Sequence, residues 1–186
     1  MKHIVRKAYC DYEKEEKWLN EMSAMGLALT DYSWCRYVFE ETPNNKYIYR
    51  IELLKNLPTH PESMAYIKFL EESGVECVAT YMCWLYLRKK SSEGAFDIYS
   101  DMESKLKHLK RINAYWSTLM WAELLTGISN IVIGVENMVS DSRAGIFPIN
   151  FYLGGLLLLV TILCFKLGSP VRKKINKLQQ ELIIRE

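Results

Sequence analysis

The sequence carries no Gly-rich phosphate loop, no nucleophile elbow and no histidine set beside a carboxylate at an informative spacing. Nothing in it therefore points to phosphoryl transfer, hydrolysis or another catalysed reaction, and a non-enzymatic role is expected. Its three histidines, His3, His60 and His108, are scattered. Its five cysteines, Cys10, Cys35, Cys77, Cys83 and Cys164, are odd in number and lack close-paired spacing. That pattern reads as reduced, mostly buried cysteines rather than a disulfide framework and offers no metal site, so neither a metal nor a cofactor is expected. The opening MKHIVRKAYC has no apolar signal-peptide core, and nothing suggests secretion. The net charge is only +2, and basic and acidic residues balance through residue 111. A strongly basic face for nucleic acid is thereby excluded. No internal repeat or low-complexity stretch stands out.

What the chain does have is two long apolar runs. Tyr115 to Val135 holds one formal charge, Glu123, and Phe147 to Phe165 holds none. At 1.5 Å per residue each is long enough to cross a hydrocarbon core of ~30 Å, and each must be helical there because lipid offers the backbone no partners. The loop 136–146 is short, so residues 115–167 read as a transmembrane helical hairpin. Lys105, Lys107, Lys110 and Arg111 precede it, and Lys166, Arg172, Lys173, Lys174 and Lys177 follow it, whereas the loop holds only Arg143. The positive-inside rule then predicts a two-pass protein of the cell membrane with both termini in the cytoplasm.

Within the first run Glu123, Gly127, Asn130 and Gly134 fall on one helical face, and in the second Asn150, Gly154 and Thr161 share another. An ionised carboxylate at that depth costs ~2.5 kcal/mol or more. Two readings stay open. Small and polar residues pack the hairpin or a homo-oligomer, with Glu123 protonated. Alternatively, Glu123 and Asn130 contact an ion, a ligand or a partner's helix. The tail 168–186 reads as a helix beginning at Ser169-Pro170, with Val171, Ile175, Leu178 and Leu182 along one side and Lys173, Lys174 and Lys177 elsewhere. Its basic character suits anionic headgroups of the inner leaflet, pairing with another helix, or docking on the soluble domain.

The preceding residues divide into a domain at 1–100 and a connecting helix at 101–114. Residues 3–9 read as a short strand. Asp11 caps a helix with Trp18, Leu19, Met22 and Met25 as its apolar stripe and Gly26 at its end. Three aromatic and β-branched segments follow, the last two expected to form a hairpin across Thr42-Pro43-Asn44-Asn45. A capping box at Thr59 to Glu62, with Pro61 in the first turn, begins a second helix that Gly74 closes. Residues 77–88 are a long strand candidate, bent into two. Ser100 and Glu103 read as a further capping box, opening a helix that can run directly into the first span. The order βαβββαβ(β) predicts an α+β domain, a mostly antiparallel sheet with helices on one face, ferredoxin-like with extra strands.

Pleat parity puts Tyr47, Tyr49, Ile51 and Leu53 on one face of their strand and Ile48, Arg50 and Glu52 on the other. Tyr37 and Phe39 likewise oppose Arg36, Val38 and Glu40, and Trp84, Tyr86 and Arg88 fall together. If Arg36, Arg50 and Glu40 lie on an uncovered sheet face, cross-strand ion pairs follow. With Trp84, Tyr86 and Arg88 such a face suits a flat or anionic ligand; otherwise it is a solvated face whose aromatics shield backbone.

The segments GLALTDYSWCRYVFEE, KYIYRIELL and YLRKK...IYSDMESK, in that order, resemble a bacterial family catalogued as domain of unknown function 2812, and DYEKEEKWLNEMSAMG looks like its first helix. The likeness covers roughly residues 3–111. It implies a membrane hairpin after the domain and an association with PadR-type transcriptional regulators, hence a membrane-linked signalling or stress role. It carries over no catalytic residue. The positions it picks out are Tyr37, Phe39, Tyr49, Arg50, Tyr99 and Asp101. The expectation is a membrane-anchored cytoplasmic sensory or regulatory module that binds a ligand, a regulator or a membrane partner. The alternative is an accessory subunit of a transporter or other membrane complex.

Overall fold

A computed structural model describes residues 1–99, 101–140 and 149–185. The chain divides into two units, Met1–Ser104 and Lys105–Glu186.

The first unit is α+β. Strand β1 (Lys2–Arg6) leads to helix α1 (Tyr12–Ala24), then β2 (Leu27–Ser33) and β3 (Arg36–Glu41). The pattern then recurs as β4 (Tyr47–Leu53), α2 (Pro61–Glu72), β5 (Glu76–Tyr81) and β6 (Trp84–Lys90). Each half forms its own three-stranded antiparallel sheet with the same order, β1-β3-β2 and β4-β6-β5. Equivalent features recur: Gly26 and Gly74 follow the two helices with φ 79° and 83°, and one register shift interrupts β2 as one interrupts β5. The unit is therefore a duplicated βαββ motif, and the expected single sheet is two. The repeat escapes sequence comparison because few equivalent positions keep their residue type; Tyr37 stands where the second half has Leu85.

Two expected details differ. The turn at Thr42 to Asn45 does not close a hairpin, because β3 is already flanked by β1 and β2. The turn instead docks on the end of α1, where Thr42 N–H donates to Gly26 O at 2.8 Å and Asn45 N–H to Ser23 O at 2.8 Å. A Cβ at Gly26 would lie 2.7 Å from the Thr42 carbonyl oxygen, so glycine is required there. At α2 the cap is His60 rather than Thr59, its Nδ1 accepting from Glu62 N–H at 3.3 Å.

Side chains finish the sheet edges. On one side of α1, Glu16, Asn20 and Ser23 meet alternate residues of β4. Ile51 N–H donates to Glu16 Oε2 at 3.1 Å, and Tyr49 N–H to Asn20 Oδ1 at 2.9 Å. Asn20 Nδ2 returns a bond to Tyr49 O at 3.1 Å, and Ser23 Oγ donates to Tyr47 O at 2.6 Å. A helix face thus satisfies an otherwise open edge strand. The next turn of the same helix, Leu19 and Met22, enters a core with Leu29, Tyr37, Phe39, Tyr49, Ile51 and Tyr86. On the other face of the β4-β6-β5 sheet, Leu85 and Leu87 pack with Leu54, Leu70, Val75 and Phe96. The parity expected for β3 and β4 is observed: Tyr37, Phe39, Tyr49 and Ile51 face the first core, and Ile48 the second.

The second unit is two long helices, α3 (Met102–Ser140) and α4 (Ile149–Arg185). Ser100 lies outside the described residues. Asp101 holds the start of α3, Oδ1 accepting from Ser104 N–H at 2.6 Å and Oδ2 from its hydroxyl at 2.9 Å. As expected, α3 runs unbroken from the connecting segment through the first apolar run. It also continues to Ser140, into the expected loop, whose remainder, Arg143 included, lies outside the described residues. α4 runs through Pro170 without a break, so the tail continues the second span rather than starting a new helix. Only 11% and 17% of the most apolar stretches of α3 and α4 is buried inside the protein. A core helix of a soluble protein would be mostly buried, so such uncovered apolar length is compatible with a two-pass membrane protein.

The helices meet at glycines. A Cβ at Gly154 would lie 2.7 Å from the Gly127 carbonyl oxygen, and one at Gly134 would lie 2.7 Å from the backbone nitrogen of Phe151. The small-residue faces read from the sequence are thus the packing faces for Gly127, Gly134 and Gly154.

Candidate functional site

Helix α1 places Glu15 on the same side as Leu19 and Met22, at i, i+4 and i+7, so its carboxylate enters the core between the two sheets. Glu15 Oε1 accepts from the Tyr37 hydroxyl at 2.6 Å and from the Tyr86 hydroxyl at 2.8 Å. Tyr32 leans on both rings, with centroids 4.7 Å from Tyr37 and 4.3 Å from Tyr86. Burial raises the Glu15 pKa above the usual carboxylate range, and the two tyrosine hydrogen bonds oppose that shift. The same burial, with the carboxylate beside them, pushes both tyrosine hydroxyls far above their ordinary range, so they stay donors at any physiological pH.

Two further polar groups flank this cluster. Glu16 accepts from Arg50 at 3.2 Å and, through the Ile51 amide, from β4. Burial raises its pKa against the pull of Arg50. Arg88 donates to Glu76 through both Nε (2.8 Å) and an amino nitrogen (2.6 Å), a bidentate pair. Its other amino nitrogen donates to Leu29 O at 2.8 Å, and its guanidinium lies 4.3 Å from the centre of the Tyr47 ring. Leu29 N–H in turn donates to the Tyr49 hydroxyl at 2.8 Å. Arg88 and Tyr49 thereby tie β2 to the second sheet. Burial pushes the Cys77 thiol up to about 11, with Glu71 and Glu76 adding to the shift, which keeps it a thiol at neutral pH.

The five residues expected on one ligand face do not share one. Arg36 lies on the first sheet, pairing with Asp31 at 3.5 Å, while Arg50 lies on β4 against Glu16 and the Phe96 ring. Trp84, Tyr86 and Arg88 do share a face of β6, but that face turns inward, toward the first core. Parity along a strand was legible; which strands join one sheet was not. The expected ion pairs appear with other partners, Arg36 with Asp31 and Lys2 with Glu40 at 3.9 Å. The Glu15 cluster is absent from the sequence expectations, although the place of Glu15 in the Leu19–Met22 stripe was a usable signal. Of the positions the family resemblance picks out, Tyr37, Phe39 and Tyr49 are fully buried, and Asp101 caps α3.

In the helical unit Glu123 and Asn130 are half-buried beside the glycine contacts. Asn130 Nδ2 donates to Thr126 O at 2.8 Å and Thr161 to Leu157 O at 3.0 Å, each on its own helix. Asn150 sits in the first turn of α4. Lys177 pairs with Glu181 at 3.8 Å, Lys173 is exposed and Lys174 half-buried. Arg172 folds back to donate to Phe165 O at 2.5 Å, its guanidinium 4.4 Å from the Phe165 ring centre. Pro170 lacks an N–H, and Arg172 supplies a donor beside that gap in the ladder. Among the described residues no group of three histidine, cysteine or acidic side chains is placed to hold a metal ion.

No curated protein and no solved structure matches the chain. Residues 11–121, from the cap of α1 into the apolar part of α3, match the family model described as "Protein of unknown function (DUF2812)", and the chain belongs to that family.

Proposed function

We infer that the chain is a membrane-anchored regulatory module, not an enzyme, whose duplicated βαββ domain engages a regulator, a ligand or a membrane partner on the cytoplasmic side. The observation that carries this reading is α3, one 39-residue helix that starts at the domain and continues through the apolar stretch. At 1.5 Å per residue it is about 58 Å long, roughly twice a hydrocarbon core, so the helix is long enough to cross a bilayer and extend beyond it. Supporting it, the carboxylates of the domain's centre are engaged structurally: Glu15 by two tyrosines, Glu16 by Arg50 and a strand amide, Glu76 by Arg88. Basic residues on the domain side of both spans favour a cytoplasmic domain and tail. The accessory-subunit alternative relied on the Glu123 face for an outside helix; Gly127 and Gly134 of that face are taken by α4, which favours the first reading.

A mild-detergent pull-down of the full-length chain from its native membrane tests this. A partner that survives Glu123→Leu supports recognition by the domain. Loss of the partner in that variant transfers the function to the hairpin. A monomeric chain that retains no partner and no ligand contradicts the proposal.

A further inference from the structure

The sheet edges of the domain are not treated alike. Side chains of α1 cap the outer edge of β4, and Tyr49 with Arg88 cap β2 at Leu29. Strand β1 has no such cover: Lys2, Ile4 and Arg6 are exposed, Ile4 by 57%, and among the described residues no strand pairs with its outer side. The ladder sets which groups face outward. Lys7 N–H donates to Cys35 O, which makes the odd-numbered residues of β1 the hydrogen-bonded partners of β3. The N–H and C=O groups of Lys2, Ile4 and Arg6 therefore point away from the sheet.

Charge selects the occupant. Arg6 stands directly opposite Arg36 in the register, a like-charge pair, with Lys7 next in sequence. A second copy pairing antiparallel about Ile4 would set Lys2 against Arg6 at both ends, so self-association along this edge is disfavoured. An alternating segment with an acid opposite Arg6, an apolar residue opposite Ile4 and an acid opposite Lys2 meets both requirements.

We propose that the outer edge of β1 takes up an extended acidic segment of a partner protein as a fourth strand of the first sheet. This rests on the regulatory reading above and names the surface that serves it. The main chain of Lys2, Ile4 and Arg6 supplies the hydrogen bonds, and Arg6, which faces Arg36 rather than an acid, supplies the main preference for acid, Lys2 and Arg36 being already paired with Glu40 and Asp31.

The test uses the full-length chain in nanodiscs and two fluorescein-labelled peptides, Glu-Thr-Val-Thr-Glu and Lys-Thr-Val-Thr-Lys. The acidic peptide is expected to bind about tenfold more tightly than the basic one, two cross-strand charge pairs being involved, and to slow hydrogen exchange at the Ile4 and Arg6 amides. Ile4→Pro removes an outward N–H that the sheet does not use, and it should abolish binding while leaving the fold intact. Arg6→Glu should remove the preference for acid. Failure of the acidic peptide to bind, equal binding of both, protection elsewhere, or acidic binding that survives Ile4→Pro each overturns the proposal. A native partner that the Ile4→Pro chain still captures leaves the regulatory reading standing and this edge refuted.

Discussion

At the scale of single residues the domain's character is set by Glu15, a carboxylate placed where the helix stripe calls for an apolar side chain. Its oxygen is the acceptor for two buried tyrosine hydroxyls. Glu15→Leu should therefore cost about 2–4 kcal/mol, because each orphaned hydroxyl loses its partner, whereas Glu15→Gln keeps an acceptor and should cost less than half as much; thermal unfolding of the two variants measures the difference. Titration works in two directions. The pKa values of Glu15 and Glu16 are raised by burial, so their contribution is fully present below the ordinary carboxylate pKa and declines as pH rises through the folded value. His108 opposes them. Burial, assisted by Arg111, pushes its pKa down to about 3 from an ordinary 6.5, so the unfolded chain takes a proton there first. Stability should fall as pH drops from 6.5 toward 3, and His108→Gln should flatten that fall; melting curves in detergent between pH 7 and pH 4.5 provide the check.

Elements show where sequence reasoning reached and where it stopped. The two helices of the domain, their glycine ends and the unbroken α3 were legible because period, caps and glycines are local signals. Strand parity was legible for the same reason. Strand partnership was not. The Pro43-Asn44 turn has the composition of a hairpin, yet its backbone donors go to the end of α1, and the segments it joins lie in different sheets. The duplication was hidden because the two halves share geometry rather than side chains. The edge-capping trio is a second non-local feature: Asn20 reads as an ordinary polar helix residue until β4 is placed beside it. Asn20→Leu should leave the Tyr49 amide and carbonyl of β4 without their side-chain partner and speed hydrogen exchange there, with unchanged exchange at the β3 ladder as the internal control. In the helical unit the glycine spacing was informative, and it makes a sharp prediction. Gly154→Leu brings bulk against Gly127 O and Ile131 and should separate α3 from α4, whereas Gly155→Leu meets open space and should be tolerated. Thermal stability of both variants in the same detergent distinguishes them.

In the whole molecule a duplicated α+β domain is followed by two long apolar helices, and the family model matches from the start of α1 into α3. The residues expected to make one binding face are dispersed over two sheets, and the surface we propose for a partner is instead the exposed edge strand β1. Family membership was legible from short ordered motifs; which strand edges the fold leaves open was not, because strand partnership is no local signal. The central claim is that the domain stands on the cytoplasmic side of a membrane that α3 and α4 cross. Impermeant maleimide labelling of intact cells addresses it directly, comparing the exposed native Cys10 of the domain with a cysteine introduced by Asn137→Cys near the far end of α3. The account predicts labelling at residue 137 from outside and labelling of Cys10 only after the membrane is opened. Labelling of Cys10 in intact cells, or protection of both sites, would contradict it.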